Sequence, residues 1–229
     1  TSEFPTGFSV KVQAMGVENI HSIAIRLKIG QQSRGAFDYL CHPSSQGAKT
    51  GLDCGAIEPS NMANGELFWR TNTSARYIPP GTIIKYHFEI KDSQGNRFDT
   101  EEKQFIYHDK RFEWLEISKP PVTVAYHSTL VKKRAELILN SIIDTLEVMG
   151  PVLGAGTKTP IRVTMYNNAK EMLAALPPRS QAISRELITE GQAFPEIGTL
   201  LVLGGGRLAA GTASHEVTHI LVHRAGDSI

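Results

Sequence analysis

The sequence has little of what marks several specialised classes of protein. It contains only 2 cysteines in 229 residues, which excludes a disulfide-rich scaffold. Charge of one sign is not in excess: 24 Lys+Arg balance 23 Asp+Glu to a net +1, which argues against a nucleic-acid-binding surface. No stretch approaches the roughly 20 consecutive apolar residues of a membrane-spanning helix. The remaining composition, 41% hydrophobic and 21% charged, is that of an ordinary globular protein with one large domain or two small ones.

The two cysteines lie close together in a Gly- and Ser-rich stretch, YLCHPSSQGAKTGLDCG. Cys41 and Cys54 would close a short polar loop, and their surroundings lack the spacing of metal ligands. This favours a disulfide and hence an extracellular or cell-surface protein, with two free thiols as the alternative. No signal peptide precedes Thr1, so a secreted protein would have lost it by cleavage, or it lies outside this sequence.

The first half of the sequence predicts short strands. Apolar and polar residues alternate in several segments that are separated by turn residues such as DSQGN at 92–96. The segments are Phe8–Gln13, Ile20–Ile29, Leu67–Thr71, Thr82–Lys91 and Arg97–Tyr107. Strands of this kind without an amphipathic helix are typical of an all-β immunoglobulin-like sandwich, which we assign to residues 1–117.

The second half, residues 118–229, mixes strands and helices. Lys119-Pro120-Pro121 is interpreted as the joint between the domains, and Gly150-Pro151 as the end of the first helix. The predicted elements are strands at Val122–Tyr126, Ile161–Tyr166, Gly191–Phe194 and Thr199–Leu203, and helices at Ser128–Met149, Asn168–Leu176 and about Ala209–Arg224. This mixture predicts an α/β or α+β domain.

One motif carries chemistry: HEVTH at 215–219, within the last predicted helix. Residues four apart share a helix face, so His215 and His219 can direct imidazole nitrogens at one metal ion. Glu216 lies next to the first ligand and can take a proton from a metal-bound water. A random sequence of this composition would contain such a motif only about 0.02 times. The motif therefore predicts a zinc site, and the alternative is a solvent-facing helix that happens to carry two histidines.

A third protein ligand is less evident. His223 continues the four-residue spacing, but a straight helix rotates by about 80° over eight residues, so three rings do not readily meet at one ion. Asp227 could follow a turn at Gly226 as an acidic ligand. Ser214 directly precedes the motif, but no activating base has a suitable position, and a serine nucleophile is rejected.

The sequence around the motif resembles the peptidase MA-like family, bacterial gluzincins with a thermolysin-like zinc helix. The residues that carry the resemblance are GQAFPEIGTLLV at 191–202, followed about a dozen residues later by HEVTHILVH. The resemblance covers about residues 120–226 and implies the α+β upper lobe of a zincin metallopeptidase. It further implies Zn²⁺ as cofactor, His215 and His219 as ligands, and Glu216 as general base.

The resemblance also implies where a substrate binds. Gly191, Gln192, Ala193 and Phe194 would form the edge strand along the cleft, pairing with the backbone of an extended peptide or protein substrate. We do not expect this protein to bind nucleic acid.

The sequence departs from the family after the motif. Gluzincins take a third ligand, a glutamate, from a downstream helix, whereas this sequence stops at Ile229. We therefore expect a C-terminally incomplete zinc metallopeptidase that binds zinc poorly and hydrolyses little by itself, with any membrane anchor confined to a missing C-terminal region. Two alternatives remain: a non-catalytic binding module with a vestigial zinc helix, and a self-associating chain in which a second copy supplies the missing ligand.

Overall fold

The computed structural model describes residues 1–40, 60–73, 76–177, 190–206 and 208–226. The predicted disulfide between Cys41 and Cys54 and the candidate ligand Asp227 lie outside these residues. The chain forms two compact units, Thr1–Thr71 with Ile83–Ile106 and Asn72–Thr82 with Tyr107–Ile229. Contacts define these units and do not show which segments fold alone, so the domain boundary after residue 117 stays a prediction.

The first unit is built around one long strand. Among its described residues the strands are β1 (Ser2–Glu3), β2 (Gly7–Ile29), β3 (Ala36–Tyr39), β4 (Ser60–Arg70), β5 (Thr82–Asp92), β6 (Arg97–Asp99) and β7 (Lys103–Tyr107). Strand β2 pairs with β4 through its first half and with β3 and β5 through its second half, and the register shifts where the partner changes. All seven strands belong to one hydrogen-bonded sheet.

The two faces of strand β5 have different environments. Ile84 is fully buried in the apolar core. Glu89, on the alternate face, is only 2% exposed, and its carboxylate accepts hydrogen bonds from Arg26 on β2 at 3.1 and 2.7 Å. Arg97 also approaches this carboxylate, and the hydrogen bond from Arg26 holds the pKa of Glu89 below its ordinary value. The predicted strand is thus confirmed, but its burial does not follow the alternation, since Glu89 is buried and Phe88 is only half-buried.

The second unit contains a mixed sheet with helices. Its strands are β8 (Leu115–Lys119), β9 (Val122–Tyr126), β10 (Ile161–Tyr166), β11 (Gly191–Phe194) and β12 (Thr199–Leu203), and its helices are α1 (Lys132–Leu153), α2 (Ala169–Leu173) and α3 (Ala209–Gly226). The order is β11-β12-β10-β9-β8. The three central strands are parallel, and β8 and β11 are antiparallel at the two edges. Among the described helices, none combines the length and apolar character needed to cross a bilayer.

Helices α1 and α3 share one apolar core with the sheet. Alternate residues of the central strands, such as Val124 on β9 and Val163 on β10, point into this core together with Ile138 and Ile142 of α1 and Val217 of α3. All five are at most 1% exposed. Burying a side chain of this size contributes about 1.5–3 kcal/mol, so this core dominates the stability of the unit and fixes α3 against the sheet.

Two interpretations of proline residues were wrong. Helix α1 continues through Pro151 to Leu153, because Met149 and Leu153 still pack against the core and Gly154 closes the last turn. The N–H of Gly154, in the left-handed conformation with φ 63°, bonds to the carbonyls of Gly150 and Pro151. Pro120-Pro121 is the turn between the paired strands β8 and β9 instead of a joint between domains.

The predicted fold class, an all-β sandwich followed by the α+β upper lobe of a zincin, was wrong. Of the residues that the structure describes, 43% lie in strands and 26% in helices, and they do not show the predicted α+β zincin lobe. Strands of the first unit are compatible with an immunoglobulin-like sandwich. The physical reason for the error is that a five-residue motif specifies one face of one helix. The number and pairing of strands depend on contacts between residues far apart, which the motif does not determine.

Two glycines in the helices are expected to respond oppositely to substitution by alanine. A Cβ at Gly211 in α3 would have no atom within 4 Å, whereas a Cβ at Gly150 in α1 would lie 2.2 Å from Cγ2 of Thr157. Gly211→Ala should raise the free energy of unfolding by about 0.5–1 kcal/mol, because alanine favours helix. Gly150→Ala should lower it by about 1–3 kcal/mol through overpacking. Urea denaturation measures both, and a change of the same sign would contradict this account.

Candidate metal centre

Helix α3 presents the two histidines of the motif on the face opposite to its buried residues. The residues packed into the core are Ala209, Ala213, Val217, Ile220 and Leu221. Their spacing of three and four residues forms one apolar stripe, which packs against α1 and strands β11 and β12. His215 and His219 are exposed, and Glu216 is half-buried. The hydrophobic pattern of the helix therefore orients all three motif side chains.

The two imidazoles converge. Nε2 of His219 lies 3.2 Å from Nε2 of His215, and the rings are nearly perpendicular at 84°. Two nitrogens bound tetrahedrally to zinc at about 2.0–2.1 Å would be about 3.3–3.4 Å apart. The separation of the two nitrogens in the structure is thus close to that of two ligands of one tetrahedral ion.

Glu216 lies where strand β11 crosses helix α3. A Cβ placed on Gly191, the first residue of β11, would be 2.7 Å from Cγ of Glu216 and 3.1 Å from its Oε1. The backbone of the strand and the glutamate side chain are therefore in direct contact. The predicted general base and the first residue of the predicted edge strand come together, although 24 residues separate them in the sequence.

A group of hydroxyls attaches α3 to α1 directly before the motif. Oγ of Ser214 lies 2.6 Å from Oγ of Ser141 and accepts a hydrogen bond of 2.9 Å from Thr145. Ser141 also donates to the carbonyl of Ala210 at 3.0 Å. These bonds hold α3 against rotation about its axis, so they help to aim the adjacent His215. They also assign Ser214 a structural role, in agreement with the rejection of a serine nucleophile.

The far end of α3 is held by Arg224. Its guanidinium donates to the carbonyls of Gly156 at 3.0 Å and Thr159 at 3.2 Å, in the loop between α1 and β10. Burial lowers the pKa of Arg224 from its ordinary value. The helix that carries the motif is thus tied to its surroundings at both ends.

A third ligand does not accompany the two histidines in the described part of the chain. His223 is half-buried on the same helix. No group of three or more His, Cys, Asp or Glu residues able to hold a metal ion is found among the described residues. Among the described residues, His223 is thus not found grouped with His215 and His219. Two protein nitrogens leave about two positions of a tetrahedral ion for water or other ligands.

The predicted substrate strand lies at the edge of its sheet. Gly191 pairs with Val202 and Phe194 with Thr199, so β11 has β12 on one side and no further strand on the other among the described residues. The ring of Phe194 lies 5.4 Å from that of Tyr77, whose hydroxyl donates to the carbonyl of Ala175 at 2.6 Å. Burial raises the pKa of Tyr77. The contact between Tyr77 and Phe194 was not predicted, because nothing in the sequence around Tyr77 distinguishes it.

Comparisons with known proteins give no further guidance: no family profile and no curated protein matches this chain.

Proposed function

We propose that this protein is a zinc-dependent peptide hydrolase in which His215 and His219 hold the ion and Glu216 is the general base. The observation that carries the proposal is the 3.2 Å separation of the two Nε2 atoms on an exposed helix face, beside a half-buried carboxylate. Bound zinc would supply Lewis acidity, polarising a carbonyl and lowering the pKa of a coordinated water. With only two protein ligands among the described residues, weak binding is expected.

The chain's own residues would divide the remaining work. Glu216 accepts a proton at its carboxylate as the water attacks and returns it to the leaving amine. Its half-buried position beside Gly191 limits the rotamers that it can adopt. The histidines stay in place because their helix is fixed by the Ser141–Ser214 contact and by the apolar core.

A peptide is the substrate class that the surroundings favour. The N–H and C=O groups on the outer edge of β11 could pair with an extended peptide by strand addition, as in other edge-strand recognition. Because Gly191 at the start of β11 touches Glu216, a peptide on this edge would pass close to the general base. An extracellular or cell-surface location for such an enzyme remains a prediction.

Zinc titration of the metal-free chain tests the proposal first. Calorimetry should give one ion per chain. His215→Ala or His219→Ala should weaken zinc binding by more than about 100-fold. Loss of a residue that only contacts a ligand weakens binding by roughly 10- to 100-fold, so the larger effect identifies a ligand. His223→Ala is the matched control and should bind zinc as the unmodified chain does.

With zinc added, mass spectrometry of a peptide mixture should show cleavage that a chelator abolishes. Absence of zinc binding would refute the proposal and favour a non-catalytic binding module.

A further inference from the structure

Gly191 leaves no room for a side chain where it meets helix α3. An added Cβ would lie 2.7 Å from Cγ of Glu216 and also 2.7 Å from Cγ2 of Thr212, one turn earlier on the same face. Ordinary contacts between carbon atoms are about 3.5–4.0 Å. A methyl group at this position would therefore require both side chains to move away by about 1 Å.

The two neighbours differ in how easily they move. Thr212 is β-branched, and a helix restricts the χ1 angle of such residues to few rotamers. Its hydroxyl also contacts Oε2 of Glu190 at 3.4 Å. Glu216 has three rotatable bonds and a half-buried, flexible end. Since Thr212 is the stiffer of the two, the larger displacement would fall on Glu216, and its carboxylate would leave its position.

We infer that Gly191 is a positioning residue for Glu216: the missing side chain leaves the space beside strand β11 that the glutamate side chain occupies. This inference rests on the proposed function and extends it, because it gives Gly191 a role separate from pairing with a peptide. The role requires the absence of a Cβ and not an unusual backbone, since the φ angle of Gly191 lies outside the left-handed region. Alanine is thus compatible with the backbone at this position.

The test is Gly191→Ala in the zinc-loaded chain. A displacement of about 1 Å at a catalytic group can lower the rate about 100-fold, so kcat should fall by about that factor while KM and zinc affinity stay unchanged. Gly211→Ala, a glycine on α3 with no atom within 4 Å of the added Cβ, is the matched control and should keep the activity. Adding Thr212→Ser to Gly191→Ala removes the methyl group of Thr212, one of the two groups that an added Cβ would meet, and should restore part of kcat. If KM rises while kcat is unchanged, Gly191 serves substrate pairing alone and the inference is overturned.

A second measurement separates this inference from the proposed function. If the unmodified chain shows no hydrolysis, the proposed function fails, but the steric contact can still be measured by urea denaturation. Gly191→Ala should destabilise the chain when Glu216 is present and clearly less in a Glu216→Ala background, because the clashing side chain is then gone. Equal destabilisation in both backgrounds would show that Glu216 does not occupy the space beside Gly191, and would overturn the inference.

Discussion

Glu216→Gln is expected to abolish most peptide hydrolysis while leaving zinc binding intact. Glutamine keeps the size of the side chain and its fit beside Gly191, but it cannot accept a proton. General base catalysis by a positioned side chain contributes about 10²–10⁴-fold, and kcat should fall by that factor. His215 and His219 are unchanged, so calorimetry should give the same zinc affinity as for the unmodified chain. The combination of a lost rate and a kept metal distinguishes a general base from a ligand.

A nearby carboxylate provides the control. Glu190 precedes β11 and contacts Thr212 on the same helix, but it is exposed and lies outside the motif. Glu190→Gln should therefore leave kcat within a factor of about two of the original value, as expected for a surface substitution of little energetic effect. Loss of activity in Glu190→Gln together with normal activity in Glu216→Gln would show that Glu190, and not Glu216, is the general base. Zinc loss in Glu216→Gln would instead make Glu216 a ligand.

The largest expected loss of stability comes from a site away from the motif, at Asp109. This carboxylate is completely buried, accepts hydrogen bonds from the guanidinium of Arg111 through both oxygens, and accepts a further bond of 2.8 Å from the hydroxyl of Tyr166. Its backbone carbonyl accepts a bond of 2.8 Å from Nε1 of Trp114. Burial, and next to it the charge of Asp109, raise the pKa of Tyr166 above its ordinary value. The segment before β8 is therefore fixed to strand β10 through one acidic side chain.

Asp109→Ala should lower the free energy of unfolding by about 1.5–3 kcal/mol. The buried hydroxyl of Tyr166 loses its charged acceptor, whereas the guanidinium of Arg111 is partly exposed and can be solvated by water. Urea denaturation followed by tryptophan fluorescence measures the change, since Trp114 lies in the affected segment. Glu136→Gln is the control, because Glu136 forms an exposed pair with Lys132 worth about 0.3–0.5 kcal/mol. A loss below about 1 kcal/mol for Asp109→Ala would mean that the pair is not kept in solution.

Local sequence signals predicted the helix of the motif and the strands beside it well. The final helix was expected over about Ala209–Arg224 and is found at Ala209–Gly226, and Gly191–Phe194 and Thr199–Leu203 are strands with the predicted bounds. These elements have strong periodicity or short apolar runs between turn residues, so their patterns depend on few distant contacts. For the same reason the side-by-side placement of His215 and His219 followed from the spacing alone.

Other features depend on tertiary contacts and could not be predicted in this way. Pro151 reads as a helix breaker, but packing of the last turn of α1 against the core outweighs the loss of one backbone hydrogen bond. The residues next to Asp109 give no signal that it is buried. Arg111 is close in sequence, but the contact with Tyr166 joins residues far apart in the chain. The predicted zincin lobe was wrong for a related reason: it was inferred from a resemblance carried by residues 191–202 and the motif, whereas the composition of a sheet is set by long-range pairing.

The sequence by itself determined the chemistry that the candidate site can offer. Two histidines four residues apart with a glutamate between them must share a helix face, because the helical repeat allows nothing else. Only the tertiary structure determined which residues pack around that helix. The contact between Gly191 and Glu216, and the bond between Ser141 and Ser214, join residues that the chain brings together solely by packing. Periodicity is a local property of the backbone, whereas such contacts exist only after the apolar core has fixed the helix against the sheet.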